Sequence, residues 1–231
     1  YVRTARKWFT VRDLMDIRRR RFGKGKIGGK AAGVELAWKI LQSDKQLTEH
    51  VRVPKSYFIA TDVFDRFKHD NDLTDIMNQK YKPVAEVRNQ YPSIKKDFAA
   101  GELPDDIIDN LQNLLQKSPR TPIIVRSSSL LEDSYGTSFA GKYESYFCAN
   151  QGSQEDNLAA LTLAIKQIYA SVYSPDALLY RQNMGVLDYN ERMAVLIQIV
   201  EGEQHNDWYY PPLAGVAFSH NPFRWSPRIR P

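Results

Sequence analysis

The run MAVLIQIV, from Met193 to Val200, limits what this chain can fold into more than any other stretch. Its one polar side chain is Gln198, and Glu201 follows it. Such a run reads as a strand buried on both faces, since neither side of the pleat offers water a polar surface. Strand and helix patterns alternate irregularly along the rest of the chain, with no internal repeat. The expected class is therefore α/β in the mixed α+β sense.

The stretch with most chemistry is PIIVRSSSLLEDSYGTSFAGKYESYFC, Pro122 to Cys148. An apolar β-branched run, Pro122 to Val125, ends in Arg126. A loop of small donors follows, with Ser127, Ser128, Ser129, Ser134, Gly136, Thr137, Ser138 and Gly141. A second β-like segment, Tyr143 to Cys148, closes it. Small side chains let backbone N–H groups approach a phosphate, and a guanidinium takes phosphate oxygens two at a time, so an anion clamp fits this hairpin. An ordinary hairpin with a long solvated loop fits it too, and the segment alone leaves both readings open.

Ile27 to Gln42, IGGKAAGVELAWKILQ, offers a second anion-binding feature. Gly28 and Gly29 can take backbone angles that other residues avoid, and Lys30 lies where a helix begins. The helix is expected to turn Val34, Ala37, Ile40 and Leu41 to one face and to pair Glu35 with Lys39 on the other. The P-loop pattern is absent, because its first glycine and the Ser/Thr after the lysine are missing. A plain helix cap is the alternative.

Elsewhere the pattern is structural. Val11, Leu14, Met15 and Ile17 make a short amphipathic segment before a basic run. Ser56 to Ala60 reads as a strand leading to a helix capped by Thr61, with Phe64 and Phe67 as core. Gly101 ends one helix. Pro104-Asp105-Asp106 opens another that buries Ile108, Leu111 and Leu115, the aspartates complementing the helix N-terminus. Gln154 to Val172 is a long helix with Leu158, Leu161, Ile165, Ile168 and Val172 inward, and Pro175 opens another through Tyr180. Leu213 to Ser219 reads as a last strand, followed by His220.

Bulk properties narrow the class. At 231 residues, 42% hydrophobic and 26% charged, the chain has ordinary globular values. No apolar run approaches the roughly 20 residues that span a bilayer. The first residues, YVRTARKWF, lack the pattern of a secretory signal. A single cysteine, Cys148, excludes an internal disulfide and a cysteine metal site, and it reads as a buried structural thiol. These features favour a cytoplasmic protein without membrane partners. Much of the net charge of +5 gathers at Arg18, Arg19, Arg20, Arg21, Lys24 and Lys26, and again at Arg224, Arg228 and Arg230. No aromatic-interleaved recognition motif accompanies these clusters, so nucleic acid is a less favoured partner than water or a nucleotide's phosphates. Lacking an initial Met and stopping at Pro231 after a strand-like run, the chain reads as a piece of a longer protein.

Three ordered segments together are far more specific than any alone: IGGKAAG, then VRSSSLLEDSYGTSFAGKYES, then LIQIVEG leading to LAGVAFSHNPF. In this order they resemble the nucleotide-binding domain of the phosphoenolpyruvate synthase and pyruvate phosphate dikinase family, over about Leu14 to Pro222. The resemblance implies an incomplete ATP-grasp-like domain: a basic segment over 1–26, an N-terminal lobe over 27–120, and the ATP-binding hairpin, helices and hinge strand over 121–231. It further implies that Lys30 holds the phosphates of ATP and that Arg126 clamps the transferring phosphoryl groups. Thr137, Ser138, Phe139, Ala140 and Gly141 would close over them. Gln198, Ile199 and Val200 would line the adenine through backbone groups, with Glu201 near the ribose.

In such enzymes ATP phosphorylates a histidine on a swivelling domain, which passes the group to pyruvate on a third domain. Neither domain is in this sequence, and a homodimer is compatible with the reading. The family's phospho-accepting histidine lies in a TSH-type motif, which does not occur here. His50, His69, His205 and His220 are scattered, and His220 reads as a loop residue. Magnesium ligands are expected outside this chain, with none assigned within it. Glu132 and Asp133 are expected to order the loop rather than bind metal. The chain alone is expected to bind ATP poorly and not to turn over. Related dikinases with a rifamycin or glucan acceptor, and a non-catalytic module used for assembly or regulation, are the alternatives.

Overall fold

The computed structural model describes residues 2–132 and 141–216. The chain falls into two units, Tyr1–Val200 and Glu201–Pro231. The first begins with helices α1 (Val2–Trp8) and α2 (Val11–Arg19), strand β1 (Arg21–Phe22), and helices α3 (Gly29–Leu41) and α4 (Lys45–His50). Strand β2 (Ser56–Ile59), helix α5 (Thr61–Asp70), a 3-10 segment (Thr74–Tyr81) and helices α6 (Val84–Ala100) and α7 (Asp105–Lys117) come next. Strands β3 (Ile123–Ser129) and β4 (Ser145–Cys148), helices α8 (Gln154–Ser171) and α9 (Pro175–Asn183), and strand β5 (Met193–Ile199) complete it. In the second unit the described residues form a two-stranded hairpin, β6 (Glu203–His205) and β7 (Trp208–Tyr210). No described helix is long and apolar enough to cross a membrane.

The apolar run from Met193 becomes the middle strand, β5. The sheet order is β1-β2-β5-β3-β4, with β1 parallel to β2 and the other pairs antiparallel. β5 is buried on both faces as its composition demands, although both of its neighbours are antiparallel to it. One face carries Ile123, Val125, Val195 and Ile197 into the main core beneath α5 to α8, where Phe64, Phe67, Phe98 and Tyr169 pack ring against ring. The other face carries Phe58 and Leu196 against Ala31 of α3, with Ile17 and Ile27 at the edge.

Helix α3 differs from expectation in the face that it buries. Ala31 and Glu35 face the sheet, while Ala37 and Ile40 are exposed. Glu35 has a partner the sequence did not suggest: the Arg20 guanidinium grips both of its oxygens, at 2.7 and 2.9 Å. That guanidinium also bonds the Ser56 carbonyl and lies over the Phe58 ring. Lys39, expected to pair with Glu35, instead reaches Asp13 of α2 at 2.8 Å. With the Thr10 cap, Lys39 holds the Asp13 carboxyl at about 2. Ion pairs to Asp13 of α2 and to Arg20 just after it therefore decide the orientation of α3, overriding a weak apolar stripe.

Smaller corrections have local causes. Thr61 is the first residue of α5 rather than its cap, because its hydroxyl accepts from the Lys26 N–H at 3.2 Å. α7 buries Ile107, Leu111, Leu114 and Leu115, leaving Ile108 partly exposed. Residues 213–216 carry no strand: Leu213 and Val216 lie exposed, and no described strand pairs with them. The rest of that expected strand lies outside the described residues. Core assignments for Phe64, Phe67, Leu161, Ile165 and Ile168 hold.

α3 meets β3 by backbone contact. Gly28, at φ +83°, precedes the helix, and a Cβ there would lie 1.5 Å from the Ser128 carbonyl oxygen. A Cβ on Gly29 would lie 1.9 Å from the Glu132 carbonyl oxygen. Gly33, inside the helix, faces open space. Gly28→Ala is expected to destabilise the protein by about 2 kcal/mol or more, whereas Gly33→Ala should stabilise it by about 1 kcal/mol. Urea denaturation of the pair checks this, and equal shifts would refute it. Glu35→Ala leaves the Arg20 charge largely buried without its main partner, so a loss of about 2 to 3 kcal/mol is expected by the same measurement. A change under about 0.5 kcal/mol would show the pair to be incidental.

Candidate functional site

Of the residues singled out in sequence, Lys30, Ser127, Ser128, Ser129 and Glu132 gather at the far end of β3, and Arg126 lies further back in the strand. Expected to stop at Arg126, the strand runs on to Ser129, because β5 continues opposite it and pairs Ser127, Ser128 and Ser129 with Val195, Ala194 and Met193. Arg126 therefore sits within a strand rather than at its mouth. The three serines are fully buried strand residues, not a solvated loop. Strands tolerate buried serines only if each hydroxyl is satisfied, and here each one is. Ser127 Oγ donates to Glu132 Oε1 at 2.9 Å. Ser128 Oγ donates to the Ile27 carbonyl at 2.9 Å and accepts from the Ala31 N–H at 3.0 Å, capping α3 across 97 residues of sequence. Ser129 Oγ accepts from the N–H groups of Leu131 and Glu132, both at 3.1 Å.

Lys30 joins this network. Its Nζ lies 3.0 Å from Glu132 Oε1 and 3.2 Å from Ser127 Oγ. The other Glu132 oxygen accepts from the Ser129 N–H at 2.8 Å. Glu132 is 4% exposed, a buried anion neutralised by one lysine and two strand donors. The carboxylate thus orders the turn after β3, as its place in the sequence suggested. Asp133 lies outside the described residues.

Arg126 has a different setting. The pleat turns Arg126 and Ser128 to one face and Ser127 to the other. Arg126 Nη1 lies 3.4 Å from Gln198 Oε1, at the long limit of a hydrogen bond. Gln198 donates onward to Ser56 Oγ at 3.0 Å, so a polar row crosses β3, β5 and β2. Among the described residues no carboxylate lies within ion-pair distance of Arg126. A half-buried guanidinium with five donors and so little to bind fits an anionic ligand.

The remaining expected site residues are less concentrated. Thr137, Ser138, Phe139 and Ala140 lie outside the described residues, and Gly141 is exposed with φ +71°. Ile199 and Val200 donate their N–H groups to the carbonyls of Lys55 and Pro122, at 3.0 and 2.9 Å. Glu201 is exposed in the second unit. Cys148 is buried, and burial pushes its thiol up to about 11, in keeping with a structural role. His50 and His69 are exposed, His205 stacks on Tyr210, and His220 lies outside the described residues. No group of three or more His, Cys, Asp or Glu among the described residues is placed to hold a metal ion.

Sequence reasoning missed two participants. Ser128 was legible only as one of a run, since nothing local marks it as the cap of a distant helix. Glu191, just before β5, is buried at 4% exposure and lies near Ser129, Glu132 and Arg181. Only its place beside an apolar strand could have drawn notice.

A family model described as the pyruvate phosphate dikinase AMP/ATP-binding domain matches residues 24–227. Among curated relatives, a rifampicin phosphotransferase of Streptomyces sviceus is 26% identical over 85% of this chain and 21% of its own length. An uncharacterized phosphotransferase of Bacillus subtilis is 29% identical over 77% of this chain and 18% of its own. A probable phosphoenolpyruvate synthase of Methanocaldococcus jannaschii is 24% identical over 84% of this chain and 15% of its own. The chain thus spans about a fifth of the length of these relatives. With the match running unbroken through the GGK turn, the β3 serines and β5, this chain belongs to the pyruvate phosphate dikinase AMP/ATP-binding domain family.

Proposed function

We propose that this chain is the ATP-binding portion of a dikinase-type phosphotransferase, in which Arg126 and Lys30 bind the phosphates of ATP. The observation that carries the reading is Arg126: a half-buried cation in the sheet, with no described carboxylate beside it. Phosphoryl transfer asks a protein mainly for positioning and charge neutralisation. Arg126 supplies a forked donor for the transferring groups. Lys30 supplies a point charge at a helix start, held in place by Glu132 and Ser127. Thr137 to Gly141 close over the phosphates in this reading. Gln198 to Glu201 line the adenine and ribose through groups other than the Ile199 and Val200 N–H, which the sheet already uses.

In the full-length protein, phosphoryl from ATP passes to a histidine on a separate swivelling domain and from there to pyruvate. Magnesium, which neutralises phosphate charge when bound, finds no ligand cluster among the described residues. In this reading its ligands come from residues outside this chain. Rifamycin or glucan is the alternative acceptor, and the choice rests with domains other than this one. A second reading has its own support: Lys30 already has a carboxylate partner, as a lysine in a non-catalytic assembly module would.

Arg126→Ala in the full-length protein is expected to lower phosphohistidine formation by about a hundredfold or more while leaving the melting temperature near wild type. Unfolding, with activity per folded molecule unchanged, would make Arg126 structural. Lys30→Ala should weaken ATP about tenfold more than AMP, because the lysine is assigned to the distal phosphates. Equal losses for the two nucleotides, read by calorimetry, would count against that assignment. AMP release that depends on pyruvate, rather than on rifampicin or glucan, supports pyruvate as acceptor.

A further inference from the structure

The polar network at the end of β3 continues past Glu132 to a residue that the ATP-binding reading does not use. In the sheet Ser129 is paired with Met193, so Glu191 arrives beside the turn that follows β3. Its carboxyl is 4% exposed, and neither oxygen has a hydrogen-bond partner among the described residues. Among the described residues, the groups facing it come from several elements. They are the Ser129 hydroxyl and Leu130 N–H at the end of β3, Glu132 in the turn, Arg181 of α9, and Tyr143 ahead of β4. Arg181 is itself buried and donates to the Val172 carbonyl at 2.7 Å. Burial pushes the Glu191 carboxyl up to about 7, with Glu132 adding to the rise and Ser129, Arg181 and Leu130 opposing it.

We propose that Glu191 is a positioning residue of the nucleotide site, acting on Lys30 through Ser129 and Glu132. The inference rests on the reading that Lys30 holds ATP phosphate. The route is short. Glu191 faces Ser129, the Ser129 N–H and hydroxyl both engage Glu132, and Glu132 holds the Lys30 ammonium. While Glu191 is neutral, Glu132 is the one anion among these groups, and its charge is shared by Lys30 and two strand donors. Once Glu191 ionises, two carboxylates share a buried site, and their repulsion is relieved by drawing the ammonium toward them. Lys30 is then less available to a phosphate, so ATP affinity falls as pH rises through neutrality.

The test is the dissociation constant of a non-hydrolysable ATP analogue on the full-length protein, by calorimetry, at about pH 6 and about pH 8. Wild type is compared with Glu191→Gln, which keeps the shape and removes the charge. Protonation of the nucleotide is common to both and cancels in the ratio of their constants. The ratio of wild type to variant is expected to rise about threefold or more between the two pH values. A ratio that does not change overturns the inference. Ser129→Ala keeps Glu191 and removes the hydroxyl between it and Glu132. It should flatten the profile as Glu191→Gln does, and it serves if that variant does not fold; a wild-type profile in Ser129→Ala also overturns the inference. Lys30→Met separates the two layers. Undiminished nucleotide affinity in that variant refutes the ATP reading itself. Loss of affinity there, with a constant ratio for Glu191→Gln, removes Glu191 alone.

Discussion

The close contact between the start of α3 and the end of β3 is the interaction on which the candidate site depends. Two carbonyl oxygens, of Ser128 and Glu132, occupy the space that a side chain at Gly28 or Gly29 would need. That approach brings the Ala31 N–H within reach of the Ser128 hydroxyl and Lys30 within reach of Ser127 and Glu132. A glycine pair before a helix is often read as room for a ligand. Here its first effect is to let two backbones touch, and the lysine is positioned as a consequence.

Several charged side chains around the sheet have an opposite charge beside them. Buried charges are costly unless paired. Arg20 has Glu35, Lys39 has Asp13, and Lys30 has Glu132. Arg126 has only a long contact to a glutamine amide among the described residues. Two arginines close to the same face of one sheet thus differ, Arg20 saturated by carboxylates and a carbonyl, Arg126 without a carboxylate among the described residues, and the proposed phosphate role of Arg126 rests on that contrast. Glu191 is the complementary case, a buried acid whose oxygens have no hydrogen-bond partner among the described residues, and burial pushes its carboxyl up to about 7.

Much of this fold was legible in the sequence. The apolar run at Met193, the long helix from Gln154 (read to Val172, which caps it after Ser171), the aromatic pair Phe64 and Phe67, and the helix ends at Gly101 and Pro104 each obey local rules of period and capping. The errors fall where a partner distant in sequence overrode the local pattern. Arg126 looked like a strand end because serines follow it, yet pairing with β5 carries the strand three residues further. Glu35 looked solvent-facing because it is charged, yet Arg20 supplies the charge that lets it turn inward.

Sequence by itself determined that β5 would be buried on both faces, that Gly28, Gly29 and Lys30 would open a helix, and that three ordered motifs would mark a nucleotide-binding domain. Those features depend on residues close along the chain, where composition and period act directly. Only the tertiary structure decided that Ser128 caps α3, that Glu132 holds Lys30, that Arg126 lacks a carboxylate among the described residues, and that Glu191 stands behind them. Each of these depends on which backbones approach one another across about 60 to 160 residues, and side-chain chemistry alone does not encode that distance.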